Sequence, residues 1–519
     1  MWFFKKNELQ KNRSWTEVVA WVFFISVVLL YLFSLLHPLY ALNQDLGRFM
    51  AITEEIVTTR SIPIENTFSY THPQFEFVHS HWLGGVLLTL IVSLVGFKGL
   101  IIVKTLFLLV AFLLSLFTAY KESAWRYRGY KIGLVALVSF PLVLLLLERT
   151  HARPEMVSYL FFSLLLVILT GRKMWPLWMI PFVMLLWVNV HIYFIVGFLL
   201  VGAYFLDALW REGVSVRTKT LFGVGVLSFF LTLLNPSGLE GLLYPFRVFA
   251  NYGYTIVENQ TPFFLIPFGY NHPMIATLFV VIGVLFVSFL FNWKRVRVAD
   301  VLVALGLSYL SLSAIRNVTL FALGVLPILV YNISSLRFSD FGIENEDAVR
   351  EGVTKLFKGV MVIGLLLSLV LAFFALSRVS LSTEAHMKGA VDFIEGVGIE
   401  GRMFNNFDIG GYLIYRLYPE RKVFVDNRPE AYPAEFFESV YKPMQENPEV
   451  WREMVARYDI SYVIFGITDQ TPWGQNFLQI ITSDPNWSIV YVDAYGLVAL
   501  RNDVENNKGI IERHGKTIY

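Results

Sequence analysis

The stretch Leu-Gly-Gly-Val-Leu-Leu-Thr-Leu-Ile-Val-Ser-Leu-Val, residues 83–95, decides how the whole chain is arranged. It is apolar, but it is shorter than the roughly 20 residues that a helix needs to cross a bilayer. If it did cross, every later loop would change sides. Eleven other apolar runs approach spanning length: 16–37, 99–120, 131–147, 155–171, 174–190, 192–210, 218–234, 274–292, 299–314, 317–333 and 356–377.

The distribution of Lys and Arg favours an interfacial position for 83–95. With eleven spans, the predicted cytoplasmic segments carry 20 Lys and Arg, and the outer loops before residue 378 carry 7. With 83–95 as a twelfth span the counts become 9 inside and 18 outside, against the preference for positive charge on the cytoplasmic side. The sequence therefore predicts a multi-pass protein of the cytoplasmic (inner) membrane, with its N-terminus cytoplasmic and its C-terminal domain extracytoplasmic.

Composition divides the chain into two parts. Of its 519 residues 56% are apolar and 16% charged, whereas an ordinary globular domain has about 25% charged residues. Residues 378–519 nevertheless hold 20 of the 40 acidic residues. We therefore expect a polytopic α-helical membrane domain over 1–377, including an outer loop 38–98 with interfacial helices, and a soluble α/β domain over 378–519. Nothing indicates nucleic-acid binding, and the absence of cysteine excludes disulfides and thiolate metal sites.

The C-terminal domain alternates helical and extended patterns, which is typical of an α/β fold. Asp426, Asn427 and Arg428 follow a predicted strand, at a position where ligands often bind or where a turn is made. Helices are predicted near 386–396 and over 410–418, 434–445 and 448–457, and strands over 402–405, 422–426 and 461–465 with a closing pair near 487–501.

Asp45 opens the first outer loop, 38–82, directly after the first span. A carboxylate at the bilayer surface suits a general base that accepts a proton from an incoming hydroxyl. Asp is also a common N-cap, and a helix is predicted over 46–57 with Phe49, Ile52, Ile56 and Val57 on one face, as in a helix lying on a membrane. The two interpretations of Asp45 remain open at this stage.

His79 and His81 close the same loop beside Trp82. Two residues apart on an extended segment, they would share a face and could bind substrate or a divalent metal, with Asp45 or Glu155 as a third ligand. Surface histidines beside an aromatic interface anchor are the alternative.

The second outer loop, 147–156, is dense in ionisable side chains: Glu148, Arg149, His151, Arg153 and Glu155. The planar guanidinium of Arg suits phosphate, so Arg149 and Arg153 are candidate phosphate ligands. The alternative is helix capping with mutual salt bridges.

Two later outer segments add charged side chains. Glu258 lies in the aromatic loop 235–273, whose composition suits a lid over a sugar and lipid site. Arg316 stands at the last outer hairpin, as either a snorkelling anchor or a phosphate clamp.

Four segments give the chain a recognisable likeness: 62–70 with 79–83 in the first loop, Asn-Phe-Asp-Ile-Gly-Gly-Tyr-Leu at 406–413, and Val-Phe-Val-Asp-Asn-Arg at 423–428. Together with an aspartate after the first span, they resemble the GT-C superfamily of membrane glycosyltransferases. The resemblance implies that Asp45 is the catalytic or acceptor-orienting carboxylate and that Glu155 is the second-loop acid. Leu46 follows Asp45 where some members carry a second acid. Arg-Pro-Glu at 153–155 replaces the Asp-x-Asp pair of oligosaccharyltransferases, which weakens the case for a divalent metal.

The predicted function is inverting transfer of a sugar from a polyprenyl-phosphate carrier to an acceptor hydroxyl of a glycan, lipid or protein on the outer face. Asp45 would act as base, and Arg153 or Arg316 would hold the phosphate. A divalent metal stays an open cofactor. The alternatives are a lipid or glycan transporter or flippase, or a non-catalytic scaffold presenting the C-terminal domain. A polar cavity between the first two outer loops would favour the transferase, and a mid-membrane pathway would favour the transporter.

Overall fold

The structure, a computed structural model, describes residues 9–40, 45–247, 251–337, 340 and 346–515. The N-terminal part of these residues is helical almost throughout. Its α-helices are α1 (Leu9–Leu35), α2 (Leu46–Thr59), α3 (Trp82–Glu122), α4 (Arg128–Leu146), α5 (Glu155–Thr170), α6 (Ile180–Val190), α7 (Phe194–Glu212), α8 (Val216–Thr232), α9 (Gly238–Arg247), α10 (Pro262–Leu265), α11 (His272–Phe291), α12 (Val298–Ser313), α13 (Val318–Ser335) and α14 (Glu346–Ser377).

Seven helices in the described residues are long and apolar enough to cross a bilayer, within α1, α3, α4, α7, α11, α13 and α14. α5, α12 and the segment Trp175–Val190 are apolar but shorter. The protein is thus a polytopic helical membrane protein. α13 lies at the centre of the bundle, where nearly all of its residues are buried. All eleven predicted runs fall on helices: the seven long ones, the three shorter ones and α8. The number of helices that cross the membrane stays a prediction.

Gly96 divides α3 at the place where the sequence predicts the end of an interfacial segment. Its backbone has φ 69° and ψ 177°, a conformation that is essentially restricted to glycine. A Cβ added at Gly96 would meet no atom within 4 Å, so the backbone angle and not crowding requires the glycine. The run 83–95 is therefore a helix in its own right, separated from the span that follows. Its position in the membrane stays a prediction.

Contacts among the connecting segments define two ends of the bundle. At the end that we name the lower end, Arg217 donates to the carbonyl of Gly171 (2.9 Å), and Arg297 pairs with Glu122. At the opposite, upper end, loops 147–154, 251–271 and 314–317 contact one another and the first loop, as described below. This grouping matches the predicted separation of basic inner segments from outer loops. Which end faces the cytoplasm stays a prediction.

The C-terminal domain contains a four-stranded sheet of order β1-β2-β4-β3. β1 and β2 are parallel, while β4 is antiparallel to β2 and to β3. The strands are β1 (Arg402–Asn405), β2 (Ile460–Gly466), β3 (Trp487–Val492) and β4 (Gly496–Arg501), and the helices are α15 (Lys388–Val397), α16 (Gly410–Leu417), α17 (Ala434–Phe436), α18 (Pro443–Glu446), α19 (Pro448–Tyr458), α20 (Pro472–Ser483) and α21 (Glu505–His514). The predicted α/β class is confirmed.

Two local predictions for this domain are wrong. Segment 422–426 forms no strand of the sheet, because its backbone pairs instead with the first loop: Val423 N donates to the Phe68 carbonyl (3.1 Å), and Tyr70 N donates to the Val423 carbonyl (3.2 Å). The predicted helix 434–445 is broken into α17, a π-helical turn (Phe437–Tyr441) and α18.

Hydrogen bonds join the first loop, at the upper end of the bundle, to the C-terminal domain. Asn66 Nδ2 donates to the Ala431 carbonyl (3.0 Å), and the Tyr70 hydroxyl donates to the Met403 carbonyl (2.7 Å). α2 packs on α3 on one side and on α16 on the other. Its buried residues include Phe49 and Ile52, whereas Val57 is exposed. The apolar face of α2 therefore contacts protein on both sides, and it joins the two parts of the chain.

Candidate active site

Asp45 lies where the first loop, the second loop and the C-terminal domain meet. Its Oδ2 is 2.9 Å from Arg153 Nε, and its Oδ1 is 3.1 Å from Arg48 Nη2. Asn427 Nδ2, from the C-terminal domain, also donates to Oδ1 at 2.9 Å. Arg48 in turn donates to the Asn427 carbonyl (2.9 Å), which fixes the relative position of all three groups. The carboxylate is thus held by residues from three separate segments.

The side chain of Asp45 does not cap α2. Asp45 occupies the N-cap position, yet its carboxylate makes no capping hydrogen bond and turns toward the arginines. Burial alone would raise the pKa of the Asp45 carboxyl, but the guanidiniums of Arg153 and Arg48 outweigh burial, and its pKa lies below the ordinary value of 3.8. Asp45 is therefore ionised at neutral pH, and its two arginines weaken it as a base.

Arg149 and Glu155 form a bidentate pair at the start of α5. Arg149 Nε and Nη2 donate to the two carboxylate oxygens of Glu155 at 2.8 and 2.7 Å. Both side chains are buried, with 7% and 3% of their surface exposed. A buried pair of this geometry is costly to break from one side, since the remaining charge loses its bidentate partner in a buried position. Glu155 therefore fixes the orientation of the Arg149 guanidinium toward the neighbouring side chains.

Glu258 lies in loop 235–273, which we name the fourth loop, and contacts arginines of the second loop. Its Oε2 accepts from Arg153 Nη1 at 2.7 Å and also from Arg149 Nη1. Its Oε1 lies 3.9 Å from Arg316 Nη1. Burial would raise the pKa of Glu258, but Arg149, Arg153 and Arg316 hold it well below the ordinary value. Glu258 is thus a fixed negative charge among three guanidiniums.

Arg316 is held from two sides and keeps one buried donor unsatisfied. Its Nη1 donates to Asn259 Oδ1 (3.0 Å), and its carbonyl accepts from the Tyr193 hydroxyl (3.1 Å). The Nε atom is buried and has no hydrogen-bond partner. A buried polar group without a partner is uncommon in native proteins and is a reason to look for a ligand.

These side chains form one unit, which we name the arginine–carboxylate cluster. Its members are Asp45, Arg48, Arg149, Arg153, Glu155, Glu258 and Arg316. Four guanidiniums face three carboxylates, so the cluster carries a net charge of +1 in a largely buried position. A group with a single negative charge would neutralise it.

His79 and His81 reach the edge of this region but point to different partners. The His79 ring packs on Phe77, and its Nε2 is buried without a hydrogen-bond partner. The His81 ring lies 4.8 Å from that of His191, and its Nδ1 lies 2.8 Å from Ser80 Oγ. Burial, with Arg316 and Arg48 nearby, lowers the pKa of His81 to about 3. His81 is therefore neutral, and the two rings contact different neighbours.

The described residues contain no preformed site for a divalent metal. No three His, Asp or Glu side chains among them come close enough to hold one. Asp45 and Glu155, the two candidates for a third ligand, are both occupied by arginines. Guanidiniums beside each carboxylate would repel a dication.

The sequence does not indicate that Arg48 and Asn427 are partners of Asp45, or that Lys104 supports the segment that follows α1. Arg48 stands three residues after Asp45, and this helical spacing was a usable signal. Asn427 was singled out only as a ligand or turn residue of its own domain. Lys104 is fully buried in α3, where its Nζ donates to the Leu35 carbonyl (2.8 Å) and lies 3.1 Å from His37 Nε2. It fixes the segment that leads from α1 toward Asp45.

One large cavity of the described residues lies away from the first two outer loops, whereas the transferase interpretation predicts a polar cavity between those loops. The large cavity is a groove of about 1160 Å³ between α4, α11, α13 and α14 that extends to the lower end. Its walls are mainly apolar, so it is not a polar pathway through the membrane either. The position of the cavity therefore decides neither for the transferase nor for the transporter.

Solved structures show a clear likeness in fold. AglB, the archaeal oligosaccharyltransferase from Archaeoglobus fulgidus in complex with an inhibitory peptide and a dolichol-phosphate, aligns over 95% of this chain and 75% of its own, with 12% identity and a TM-score of 0.58. The Archaeoglobus fulgidus oligosaccharyltransferase in complex with Zn and sulfate aligns over 92% and 72%, with 12% identity and a TM-score of 0.53. ArnT from Cupriavidus metallidurans in the apo state aligns over 92% and 96%, with 12% identity and a TM-score of 0.49.

No protein-family model and no curated protein sequence matches the chain. The likeness to AglB shows that the chain shares the fold of this oligosaccharyltransferase over most of its length. The chain is a polytopic helical membrane protein of that fold with a C-terminal α/β domain.

Proposed function

We propose that this protein is a membrane glycosyltransferase that moves a sugar from a polyprenyl-phosphate carrier to an acceptor hydroxyl at the upper end of the bundle. The observation that carries the proposal is the arginine–carboxylate cluster. It combines a net positive charge with an ionised Asp45 in a fold shared with AglB. The solved AglB complex contains a dolichol-phosphate, which supports a lipid phosphate as ligand here.

The arginines bind the phosphate of the donor. A sugar–phosphate–polyprenyl diester has one negative charge, which matches the +1 of the cluster. Arg153 and Arg316 present N–H groups on either side of Glu258, and Arg316 Nε has no partner before the donor binds. Arg149, held by Glu155, adds a third positive charge close by. As the sugar leaves, charge builds up on the phosphate, and fixed guanidiniums stabilise that charge better than water does.

Asp45 orients the acceptor and takes its proton. The acceptor oxygen attacks the anomeric carbon from the face opposite the phosphate, and the configuration inverts. The bond from this carbon to the phosphate oxygen breaks, and its electron pair goes to the phosphate. The acceptor hydroxyl proton passes to Asp45. Because the donor phosphate competes with Asp45 for Arg153, donor binding relieves Asp45 of its strongest partner and makes it a better base.

Glu155 and Asn427 are positioning residues in this scheme. Glu155 holds Arg149 through two hydrogen bonds, and Asn427 holds Oδ1 of Asp45 from the C-terminal domain. The C-terminal domain thereby contributes directly to the site. A scaffold that only presented this domain would have no need for such a contact.

The proposal is tested with purified protein in lipid nanodiscs and a panel of polyprenyl-phosphate sugars, each with isotope-labelled sugar. We expect one donor to lose its sugar to an added glycan, lipid or protein acceptor, with release of equal amounts of polyprenyl phosphate. Movement of intact donor across the bilayer without release of the sugar would support a flippase instead.

A further inference from the structure

Lys104 is a buried charge in the membrane domain that the proposed reaction does not use. It lies in α3 beyond Gly96, and only 1% of its surface is exposed. Among the described residues, its Nζ contacts a backbone carbonyl and a histidine ring and no carboxylate. A charged side chain inside a membrane domain is costly, and where one is found it commonly has a functional role.

The first contact of Lys104 is with the end of α1. Its Nζ donates to the carbonyl of Leu35, the last residue of that helix, at 2.8 Å. The last carbonyls of a helix have no partner inside the helix and attract positive charge. Thr105 Oγ1, however, already lies 3.5 Å from the same oxygen. Because a neighbouring hydroxyl can reach this carbonyl, capping of α1 does not by itself explain a buried charge.

The second contact of Lys104 is with the His37 ring. His37 Nδ1 lies 2.9 Å from the Pro38 carbonyl, which can only accept, so Nδ1 carries the ring hydrogen. Nε2 is then the acceptor, and it lies 3.1 Å from Lys104 Nζ and 3.1 Å from Thr150 Oγ1. One neutral ring nitrogen thus faces a donor from α3 and a donor from the second loop.

Lys104, His37 and Thr150 form a unit that we name the lysine junction. His37 precedes Asp45 in the segment that leaves α1, and Thr150 precedes Arg153 in the second loop. Lys104 and Thr150 are both buried. The junction therefore joins the segment that leads to the proposed base to the loop that carries a phosphate-binding arginine.

The segment that leaves α1 is held on its other side by the linker to the C-terminal domain. Leu39 N donates to the Ser382 carbonyl (2.9 Å), and Ser380 N donates to the Leu36 carbonyl (2.9 Å). These hydrogen bonds involve backbone atoms only, so they persist when side chains are exchanged. The lysine junction therefore supplies a separate contact, which ties this segment to the second loop.

We propose that Lys104 is a positioning residue of the proposed transfer reaction, and that through His37 and Thr150 it sets the distance between Asp45 and Arg153. This role rests on the proposed function, in which Asp45 takes the acceptor proton while Arg153 holds the phosphate. A misplacement of about 1 Å between reacting groups can lower a rate by about 100-fold. Lys104 acts through the two loops and does not touch the substrate.

The test compares Lys104→Met, Thr150→Val and the double variant in lipid nanodiscs, with kcat for sugar transfer and the affinity for polyprenyl phosphate measured separately. Met keeps a long apolar side chain, and Val removes only the hydroxyl of Thr150. We expect kcat to fall by about 100-fold in Lys104→Met and by about tenfold in Thr150→Val, for the loss of one hydrogen bond. The affinity should stay close to that of the wild type, because Glu155 and Glu258 still hold the arginines.

The double variant should lose no more kcat than Lys104→Met alone, because both side chains act through His37. Thr150→Ser keeps the hydroxyl and should keep the wild-type kcat. The matched control is Thr105→Val, which removes a buried hydroxyl beside Lys104 that contacts the Leu35 carbonyl. It should also keep the wild-type kcat.

Hydrogen–deuterium exchange of peptides from 45–59 and 147–156 adds a readout that needs no sugar transfer. Both peptides should exchange faster in Lys104→Met and in Thr150→Val than in the wild type. Unchanged exchange in both variants would overturn the proposal, and so would a wild-type kcat in Lys104→Met.

Three further results would contradict the positioning role: losses of kcat that multiply in the double variant, an equal loss in Thr105→Val, or a loss of affinity as large as the loss of kcat. Absence of transfer by the wild type would instead count against the proposed function. The exchange measurement tests the lysine junction in that case as well.

Discussion

Arg153 joins Asp45 to Glu258: its Nε lies 2.9 Å from Asp45 Oδ2, and its Nη1 lies 2.7 Å from Glu258 Oε2. One guanidinium from the second loop thereby connects the first and fourth loops. It also sets the protonation of Asp45, since it is the strongest of the charges that lower the pKa of that carboxyl. Arg153 is therefore expected to control both the binding of phosphate and the strength of the base.

Arg153→Gln should move the acidic limb of the pH profile of kcat/KM to higher pH. The rate requires ionised Asp45, and in the wild type the pKa of Asp45 lies below 3.8, so activity is lost only as pH falls through that low value. Without Arg153, burial is opposed mainly by Arg48, and the pKa of Asp45 rises. Profiles that superimpose would contradict this role of Arg153. Arg247→Gln, in the fourth outer loop, is the control and should keep the wild-type profile.

Glu155→Gln should destabilise the fold by about 1–3 kcal/mol, because the buried Arg149 loses its bidentate partner and keeps only Glu258, which Arg153 shares. Thermal unfolding in nanodiscs measures the effect. The exposed Glu54→Gln on α2 is the matched control and should stay within about 0.5 kcal/mol of the wild type. The pair Arg149→Met/Glu155→Leu should recover most of the lost stability, since no charge is then left alone. An unchanged midpoint for Glu155→Gln would show that the pair is not formed.

Arg316→Met should weaken the binding of polyprenyl phosphate by about 10- to 100-fold, the range for loss of hydrogen bonds to a charged group. Arg316 contacts Asn259 and lies over the Tyr193 ring, so thermal unfolding is measured beside the affinity to separate loss of the phosphate contact from loss of the fold. Competition by polyprenyl phosphate against labelled donor measures the affinity. An affinity equal to that of the wild type would remove Arg316 from the phosphate site.

The topology can be tested by single-cysteine labelling, because the chain contains no cysteine of its own. Cysteines at Lys98 and Glu240 should react with an impermeant reagent added to intact cells. Cysteines at Arg172 and Arg211 should react only after permeabilisation. If cysteines at Arg172 and Arg211 reacted in intact cells and those at Lys98 and Glu240 did not, while a cysteine at Arg60 in the first loop still reacted, 83–95 would cross the membrane.

Sequence periodicity and hydropathy predicted most of the fold, because apolar runs and their charged flanks are local properties. The runs at 16–37 and 131–147 became α1 and α4, and 402–405 became β1 with the predicted bounds. The prediction of a strand over 422–426 failed for a physical reason. Its extended backbone has the composition of a strand, but its partner is Phe68–Tyr70, more than 350 residues earlier.

The site was predictable in its residue types but not in its pairings. Asp45, Arg153 and Glu258 were all singled out, yet nothing local indicates that a guanidinium of the second loop contacts carboxylates of two other loops. Asp45 could cap α2 or serve as a functional carboxylate, and the direction of its side chain distinguishes the two. That direction depends on the packing of α2 on α3 and α16, which the sequence does not show.

Sugar transfer by Asp45→Asn tests the central claim most directly. The amide keeps the shape of the side chain but removes the negative charge and the proton acceptor. We expect Asp45→Asn to lose transfer by at least about 100-fold, in keeping with the loss of a general base, while binding of polyprenyl phosphate and thermal unfolding show that the site and the fold persist. Glu54→Gln on the same helix should transfer sugar at the wild-type rate. Wild-type transfer by Asp45→Asn would contradict the assignment of Asp45 as the base.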